Sequence, residues 1–334
     1  MTQPKVLLVG PHDGATIDWI AAALADHGCV GGTIDHRQLQ TENDNAKMNL
    51  AIVNQSLGYD LVLALKGDGI RPRTWKMIRE AGSSTAIWMF DAWCANSKDL
   101  LDSAAAVDSY FTVSHGLVPW YRKQGIPAYW LPEACDPDAH RPMPPPQNSP
   151  AFQSTFIGTI KGIQPREDFL VELRQLLGGG IHFFGSHPGR LAGPTHHGRT
   201  DEFTGLNDNE ALAHVVGRSL VNVDHQRNPE LSRTYGARMW RTLAMNGCLI
   251  TNKINGLRQD FNGCVATYDD AADAARLVSE LAADPARRQR MGLEGRRLVV
   301  ERHTFRHRVA ELLDQVGLPH QRVDENGLIH RGGD

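Results

Sequence analysis

The sequence predicts two Rossmann-like α/β domains, each built on a parallel sheet, followed by C-terminal helices. The chain has 334 residues, which exceeds a typical single domain of roughly 100–200 residues, so two domains are expected. Short apolar runs alternate with helix-like segments along most of the chain, as in doubly wound parallel sheets. A proline-rich stretch near the middle separates this alternation into two similar halves.

The first half, residues 1–140, begins with a clear βα pattern. Residues 5–10 are predicted as a strand: after Lys5, they form an uninterrupted apolar run that ends in glycine, which suits a central strand covered on both faces. Helical spacing follows over residues 15–27 and stops at Gly28, a suitable C-terminal glycine. Further strands are predicted at 61–65, 86–90, 110–113 and 128–131, and further helices at 46–57, 72–81 and 117–124.

A semi-rigid linker is predicted over residues 141–152, where five prolines lie between positions 142 and 150. The alternation then restarts and defines a second domain over residues 153–302. Its predicted strands are 154–157, 181–184, 220–223, 248–251 and 265–268, and its predicted helices are 166–177, 207–217, 237–246 and 271–283. The helical pattern that ends the chain leads to a C-terminal helix at 303–318 and a tail at 319–334.

Composition excludes several classes of protein. The net charge of −3 gives no sign of an obligatory polyanionic partner, and 41% hydrophobic residues argue against a disordered chain. The five cysteines are widely spaced without a C-x-x-C motif, so we expect reduced thiols rather than a disulfide framework or zinc knuckle. No stretch approaches the roughly 18 apolar residues of a membrane span, and the first strand is too short for a signal peptide, so a cytoplasmic protein is expected.

Charge is distributed unevenly between the halves. Residues 1–150 carry 12 Lys and Arg against 16 Asp and Glu, a balance of −4, whereas the remainder carries 23 against 22, a balance of +1. The second half is therefore better suited to an anionic small molecule.

In open α/β sheets, ligands bind beyond the carboxyl ends of the strands. In the first half, this rule selects Asp13, Asp91 and His115 as candidates for contact with a substrate. Helix capping and a turn are the structural alternatives for Asp13 and Asp91. The spacing from Gly10 to Gly14 lacks the full G-x-G-x-x-G fingerprint, so a nicotinamide enzyme is weakly supported.

In the second half, the same rule selects a phosphate cradle. Gly158 allows close backbone approach, the following helix start offers N–H groups, and Lys161 and Arg166 add positive charge. A solvated loop with a capping proline remains the alternative. Further along, a strand ends at Asn222, and a polar loop leads to Arg238 in the first helical turn, where a cation is unfavourable by roughly 0.3–1 kcal/mol. Arg238 therefore suggests a phosphate or carboxylate partner, a surface salt bridge being the alternative. Thr234 and Tyr235 in the loop are further ligand-binding candidates.

Neither a metal site nor a hydrolase triad is predicted. The histidines at 182, 187, 196 and 197 lie in a loop rich in glycine and proline, without H-x-x-x-H spacing or an acidic ligand at a diagnostic offset. The sequence has no G-x-S-x-G elbow.

Four stretches carry a resemblance to a known family. They are residues 129–136 (Tyr-Trp-Leu-Pro-Glu-Ala-Cys-Asp), 156–159 (Phe-Ile-Gly-Thr) with Arg166 downstream, 238–251 (Arg-Met-Trp-Arg-Thr-Leu-Ala-Met-Asn-Gly-Cys-Leu-Ile-Thr) and 303–308 (His-Thr-Phe-Arg-His-Arg). In order and separation, they resemble the group 1 glycosyltransferases related to the spore-coat maturation protein CgeB.

The resemblance implies a GT-B fold, in which two Rossmann-like domains face each other across a cleft. The acceptor would be held mainly by the first domain and a UDP- or GDP-linked sugar mainly by the second, with the C-terminal helix crossing back. No metal or other cofactor is implied, since side-chain cations and a helix dipole compensate the leaving diphosphate. The resemblance places Gly158 and Arg166 near the donor, Asn222 at the end of the strand beneath it, and Arg238 at the start of the nucleotide-binding helix.

One position departs from the family pattern. Arg241 stands where the family usually has a glutamate that binds donor ribose or sugar, which replaces a hydrogen-bond acceptor with five donors. Donor recognition has then been rebuilt, and Arg241 joins the donor-binding candidates, or the chain is a sugar-nucleotide-binding or scaffold protein without transferase activity.

The sequence leaves the mechanism and the acceptor open. Retaining transfer, with the leaving diphosphate held by Lys161, Arg166 and Arg238, is expected. An inverting mechanism, with Asp13, Asp91 or His115 as general base on the acceptor hydroxyl, remains the alternative. The acceptor could be a glycan, a protein, a small molecule or DNA with a hydroxymethylated base, and the negative balance of the first half argues against DNA.

Overall fold

The computed structural model describes residues 3–12, 16–39, 45–92, 97–144, 151–160, 162–185, 189–197, 209–261 and 263–321. The chain divides into two compact units: Met1–Glu133 with Phe305–Asp334 form the first, and Ala134–Thr304 form the second. The division differs from the boundary expected at residue 140, and the expected linker 141–152 falls inside the second unit; residues 145–150 lie outside the described part.

Hydrogen bonds explain why the segment after Ala134 belongs to the second unit. The backbone N–H of Cys135 donates to the carbonyl of His303 at 3.1 Å, and Arg296 donates to the carbonyl of His140 at 3.3 Å. His140 itself is fully buried. These pairings join positions far apart in sequence, so local composition does not reveal them.

The described residues of the first unit form a six-stranded parallel sheet with the order β2-β1-β3-β4-β5-β6. The strands are β1 (Lys5–Gly10), β2 (Val30–Asp35), β3 (Leu61–Leu65), β4 (Ser84–Met89), β5 (Ser109–Thr112) and β6 (Ala128–Trp130). The helices are α1 (Thr16–Asp26), α2 (His36–Leu39), α3 (Ala46–Ser56), α4 (Pro72–Glu80), α5 (Lys98–Ala104) and α6 (Val118–Lys123). Strand β3 is buried along its whole length, as its continuous apolar sequence predicts.

The sequence pattern does not predict β2, an edge strand with the sequence Val-Gly-Gly-Thr-Ile-Asp. Glycine weakens a strand, and Val30 and Ile34 are the large apolar residues of this segment. The structure explains the first glycine, because a Cβ atom at Gly31 would collide with the carbonyl oxygen of Val6 on β1.

The second unit has a five-stranded parallel sheet, in the residues described, with the order β11-β10-β9-β7-β8. The strands are β7 (Phe152–Ile157), β8 (Ile181–Phe184), β9 (Ser219–Val223), β10 (Leu249–Asn252) and β11 (Val265–Tyr268). The helices are α7 (Gln164–Leu176), α8 (Asn209–Arg218), α9 (Ala237–Ala244), α10 (Leu257–Phe261), α11 (Ala271–Ala283) and α12 (Pro285–Arg302). The two parallel sheets with flanking helices confirm the predicted fold class.

Helix α12 packs closely against α9. A Cβ atom at Gly295 of α12 would approach Leu243 of α9 to 2.7 Å, and one at Gly292 would collide with the carbonyl of Asn246. Arg296 also donates to the carbonyl of Ala244 in the last turn of α9. Close approach of the two helices fixes the position from which α9 presents its first turn.

The last described segment of the chain packs on the first helix of the first unit. Helix α13 (Phe305–Val316) packs on α1, where Arg306 pairs with Asp26 at 2.5 Å. The ring of His27 bonds the carbonyl of Gln321 at 2.6 Å, so residues 319–321 of the expected tail lie against α1; residues 322–334 are outside the described part. No helix in the described ranges is both long enough and apolar enough for a membrane crossing.

Candidate nucleotide site

A cavity of about 180 Å³ lies in the second unit, beside the first turn of α9. Its lining comprises Arg166, Leu212, Gln226, Gly236, Ala237, Arg238, Arg241 and Thr242. The wall residues that the structure describes thus carry three guanidinium groups and include no carboxylate. Ligand pockets typically span about 300–1,000 Å³, so this cavity suits one anionic portion of a ligand.

Arg238 lies in the first turn of α9 and points across the carboxyl end of the sheet. Its Nη1 atom donates to the buried carboxylate of Asp224 at 2.5 Å. Its guanidinium lies over the ring of Phe156 on β7, with 4.7 Å between Cζ and the ring centroid. Among the described residues, its buried Nε atom has no hydrogen-bond partner, so the guanidinium keeps unused donor capacity.

Gly158 makes room for that guanidinium. This residue follows β7 directly and has φ of +139°, a conformation that side chains rarely adopt. A Cβ atom here would lie 2.8 Å from the Cζ atom of Arg238 and still closer to Nη2. The glycine predicted to permit close approach by a ligand therefore already accepts close approach by Arg238.

Arg166 is the second cation of the site and is buried, with 8% of its surface exposed. It lies in the first turn of α7, where Nε donates to the carbonyl of His225 at 2.9 Å and Nη1 donates to that of Thr159 at 3.1 Å. Burial and the nearby charge of Arg238 lower its pKa to about 10. Arg166 therefore remains a cation at neutral pH, with its orientation set by two backbone carbonyls.

Beneath the arginines lies a polar network that the sequence analysis missed. Asp224 and Gln226 come directly after β9, and the Nε2 atom of Gln226 donates to Asp224. His225 stacks on Phe169 with 4.4 Å between ring centroids, and burial lowers the pKa of its imidazole to about 4. Position after a strand end could have selected Asp224; its pairing with Arg238 follows only from the three-dimensional arrangement.

The remaining donor-binding candidates have different environments. Arg241 lines the cavity, whereas Asn222 is buried within the sheet and donates to the carbonyl of Cys248 at 3.4 Å. Tyr235 belongs to the apolar core, where its hydroxyl donates to Asp260 at 2.6 Å and burial raises its pKa. Thr234 donates to the carbonyl of Ser232 at 3.4 Å, and Lys161 lies outside the described residues.

The catalytic candidates of the first unit, where described, also lie in different environments. Asp91 pairs with Lys66 at 2.9 Å; burial lowers the pKa of Lys66, but attraction to Asp91 outweighs it and leaves that pKa above its usual value. His115 is exposed at the start of a short 3-10 helix and meets the edge of Trp130, with centroids 5.4 Å apart. Asp13 lies outside the described residues.

A larger cavity of about 530 Å³ lies beside the loop that follows β3. Its charged lining consists of Asp68, Asp99 and Asp102 against Arg71. In the described part of its wall, negative side chains therefore predominate, in contrast to the arginine-rich cavity of the second unit.

The three clustered histidines that the structure describes form hydrogen bonds. The Nδ1 atom of His182 bonds the Nε2 atom of His197 at 2.8 Å, and His196 bonds the carbonyl of Gly185 at 3.0 Å. His187 lies outside the described residues. Within the described ranges, no group of three or more His, Cys, Asp or Glu side chains is placed to hold a metal ion.

One family model matches a span that lies mostly within the second unit. Residues 166–314 match a family described as glycosyl transferase-like, a span that contains Arg166, Asp224, Arg238 and Arg241. No curated protein matches the sequence.

Solved structures resemble the chain over almost its whole length. HepE of Anabaena, solved with UDP and glucose, has a TM-score of 0.66 at 10% identity and covers 94% of this chain and 100% of its own. Sucrose-phosphate synthase from Thermosynechococcus elongatus has a TM-score of 0.64 at 15% identity, covering 94% and 98%. An α-glucosyltransferase solved with UDP and a 13-mer DNA containing an HMU base has a TM-score of 0.62 at 10% identity, covering 95% and 100%. At these identities the likeness establishes the fold, and it confirms the GT-B class.

Proposed function

We propose that this protein is a glycosyltransferase that moves a sugar from a UDP- or GDP-linked donor to an acceptor hydroxyl. The observation that carries the proposal is the arginine-lined cavity beside the first turn of α9. The match of residues 166–314 to a glycosyl transferase-like family supports it, as do structural neighbours solved with UDP.

Charge balance favours a diphosphate in this cavity. Arg166, Arg238 and Arg241 contribute three positive charges, and the buried Asp224 contributes one negative charge, which leaves two positive charges. The diphosphate of a nucleotide sugar carries one negative charge on each phosphoryl group, so the two balance. The first turn of α9 adds the positive end of a helix dipole.

These cations suit stabilisation of a leaving group. In the proposed reaction, the bond between the sugar C1 atom and the diphosphate oxygen breaks, and its electron pair leaves with the diphosphate. Arg166 and Arg238, oriented beforehand by the Thr159 and His225 carbonyls and by Asp224, would stabilise the developing charge without reorganisation. We therefore propose that side-chain cations fulfil the role that a metal ion has in other transferases.

We propose retaining transfer, in which the acceptor oxygen bonds C1 from the face that the diphosphate leaves and its proton passes to the departing phosphate oxygen. The inverting alternative requires a base such as Asp13, Asp91 or His115 on the acceptor hydroxyl. The anomeric configuration of the product, determined by NMR, distinguishes the two mechanisms.

We propose a glycan, protein or small-molecule acceptor rather than DNA. The neighbour solved with HMU-containing DNA keeps the DNA alternative in view. However, Asp68, Asp99 and Asp102 line the described wall of the first-unit cavity, and carboxylates repel a polyanion. Binding of duplex DNA that weakens steeply with salt would reverse this preference.

The first test is binding of UDP, GDP, ADP and TDP, measured as a thermal shift. A ligand at about 100 times its dissociation constant stabilises a protein by roughly 2.7 kcal/mol. Arg166→Ala and Arg238→Ala should each weaken nucleotide binding at least tenfold, since a hydrogen bond to a charged group contributes about 1.5–3 kcal/mol. Arg276→Ala, which removes an exposed partner of Asp273 and Glu280 on α11, is the control. Unchanged binding in both site variants would reject the proposal.

The second candidate is a sugar-nucleotide-binding protein without transferase activity, motivated by Arg241 in the cavity wall. Tight UDP binding combined with neither hydrolysis nor transfer of UDP-sugars across an acceptor panel would support it. Sugar transfer to any acceptor hydroxyl would exclude it.

A further inference from the structure

We infer that Asp224 is a positioning residue, which does not line the cavity. It fixes the direction of the Arg238 guanidinium at the first turn of α9 and thereby sets the preference for diphosphate over monophosphate nucleotides. This inference rests on the proposed function, since it assumes that the cavity binds the phosphate groups of a nucleotide. Asp224 has no exposed surface, so it acts on a ligand only through other residues.

The carboxylate of Asp224 is constrained on each side. Its Oδ1 atom accepts from Nη1 of Arg238 at 2.5 Å, and its Oδ2 atom accepts from Gln226. Its backbone is fixed as well, because its N–H donates to the carbonyl of Ile250 at 2.8 Å and its carbonyl accepts from the Tyr268 hydroxyl at 2.6 Å. A buried, ordered carboxylate of this kind restricts the guanidinium to one orientation.

Gln226 links this carboxylate to the beginning of α9. Its Oε1 atom accepts from the N–H of Gly236, the N-cap residue, at 3.2 Å. Its own backbone exchanges hydrogen bonds with the Asn252 side chain at 2.8 and 3.2 Å. The β10 end, Gln226, Asp224, Arg238 and the helix start therefore form one connected hydrogen-bond chain.

The directions of these hydrogen bonds require a carboxylate, with two acceptor oxygens, at position 224. Gly236 donates to Gln226, and Gln226 and Arg238 both donate to Asp224. Asparagine at 224 would replace one of the two acceptor oxygens with a donor NH₂ group. That group would then lie against a second donor, either the amide of Gln226 or the guanidinium of Arg238. The substitution keeps the shape of the side chain and breaks the chain of hydrogen bonds.

Two guanidinium groups converge at this site, since Arg166 and Arg238 lie over the same Phe156 ring at 5.7 and 4.7 Å. A diphosphate can contact both, whereas a monophosphate satisfies one. Release of Arg238 from Asp224 should therefore weaken UDP more than UMP and leave uridine almost unaffected. Loss of folded protein would instead reduce all three in proportion.

The test compares wild type and Asp224→Asn by calorimetry with UDP, UMP and uridine. We expect UDP affinity to fall about tenfold or more, consistent with loss of a charge-assisted contact, and the ratio of UDP to UMP affinity to fall with it. Glu167→Gln is the matched control: Glu167 is also buried and paired with an arginine, Arg190, in this unit. It should lose stability and keep the wild-type ratio.

A double-variant cycle with Arg238→Ala separates positioning from a general effect. In the Arg238→Ala background, Asp224→Asn should change UDP affinity less than twofold, because the residue through which Asp224 acts is absent. If Asp224→Asn does not fold, Asp224→Glu, which displaces the same charge by one methylene, provides the same comparison. An unchanged UDP to UMP ratio, or a further tenfold loss in the Arg238→Ala background, would overturn the inference. Failure of the wild type to bind any nucleotide would instead reject the proposed function.

Discussion

Gly158→Ala tests the geometry at the centre of the site. Gly158 has φ of +139°, and an added Cβ would lie 2.8 Å from the Cζ atom of Arg238. Gly193 offers a matched control in the same unit: its φ is +143°, and nothing lies within 4 Å of an added Cβ. The two substitutions share the backbone strain, and only the first displaces a side chain.

The magnitudes follow from these two environments. Backbone strain in a sparsely populated region costs about 1–3 kcal/mol, so both variants should lose stability by that order. Gly158→Ala must also move Arg238 away from the fully buried Asp224. Loss of one partner from a buried pair costs roughly 3–5 kcal/mol. The 20% exposure of the Arg238 side chain reduces this, so we expect an additional loss of about 1–3 kcal/mol.

The assay combines urea unfolding with calorimetric titration of UDP. Gly158→Ala should weaken UDP binding by a factor of about 10 to 150, the equivalent of one charge-assisted hydrogen bond. Gly193→Ala should bind UDP as the wild type does. Equal UDP affinities in the two variants would refute the assignment of Gly158 as the space that Arg238 requires in a phosphate-binding site.

Two further predictions concern pH and charge. The pKa values of His140 and His225 are lowered by burial from 6.5 to about 3 and about 4. The stability that these two histidines contribute is therefore complete above pH 6.5 and falls as the pH drops toward 4. The free energies of unfolding at pH 7 and at pH 4.5 should differ by about 3–5 kcal/mol, and His140→Asn should roughly halve that difference. Arg241→Glu would turn the net charge of the cavity groups from two positive to zero, so UDP affinity should fall at least tenfold and depend less on salt; an affinity equal to the wild type would remove Arg241 from the site.

Local sequence patterns predicted most of the fold because the relevant signals are short in range. The buried apolar run of β3 and the Gly28 that follows α1 need only neighbouring residues for their interpretation. Strand β2 was missed because it contains two glycines, and the need for Gly31 comes from close approach to Val6 on another strand. The boundary after Glu133 depends on hydrogen bonds to His303 and from Arg296, more than 150 positions away in sequence.

In the candidate site, too, some residues could be predicted from local sequence and others depend on tertiary packing. Gly158, Arg166 and Arg238 follow strand ends or open helices, and the structure brings them together around Phe156. Tyr235 lies in an equally polar stretch of sequence, yet its ring is buried in the core. Whether a loop residue points toward a cavity or toward the core depends on packing, which the residue type does not specify.

Asp224 also gives a reason for the arginine at position 241. A carboxylate behind an anion site neutralises Arg238 in charge while fixing its direction, and two backbone carbonyls already occupy donors of Arg166. A glutamate at 241 would leave the cavity groups without net charge opposite a diphosphate. Arg241 in the wall adds the positive charge that brings the net charge of the cavity groups to the two that a diphosphate requires. On the proposed function, the departure from the family pattern therefore compensates for Asp224 and need not signal loss of activity.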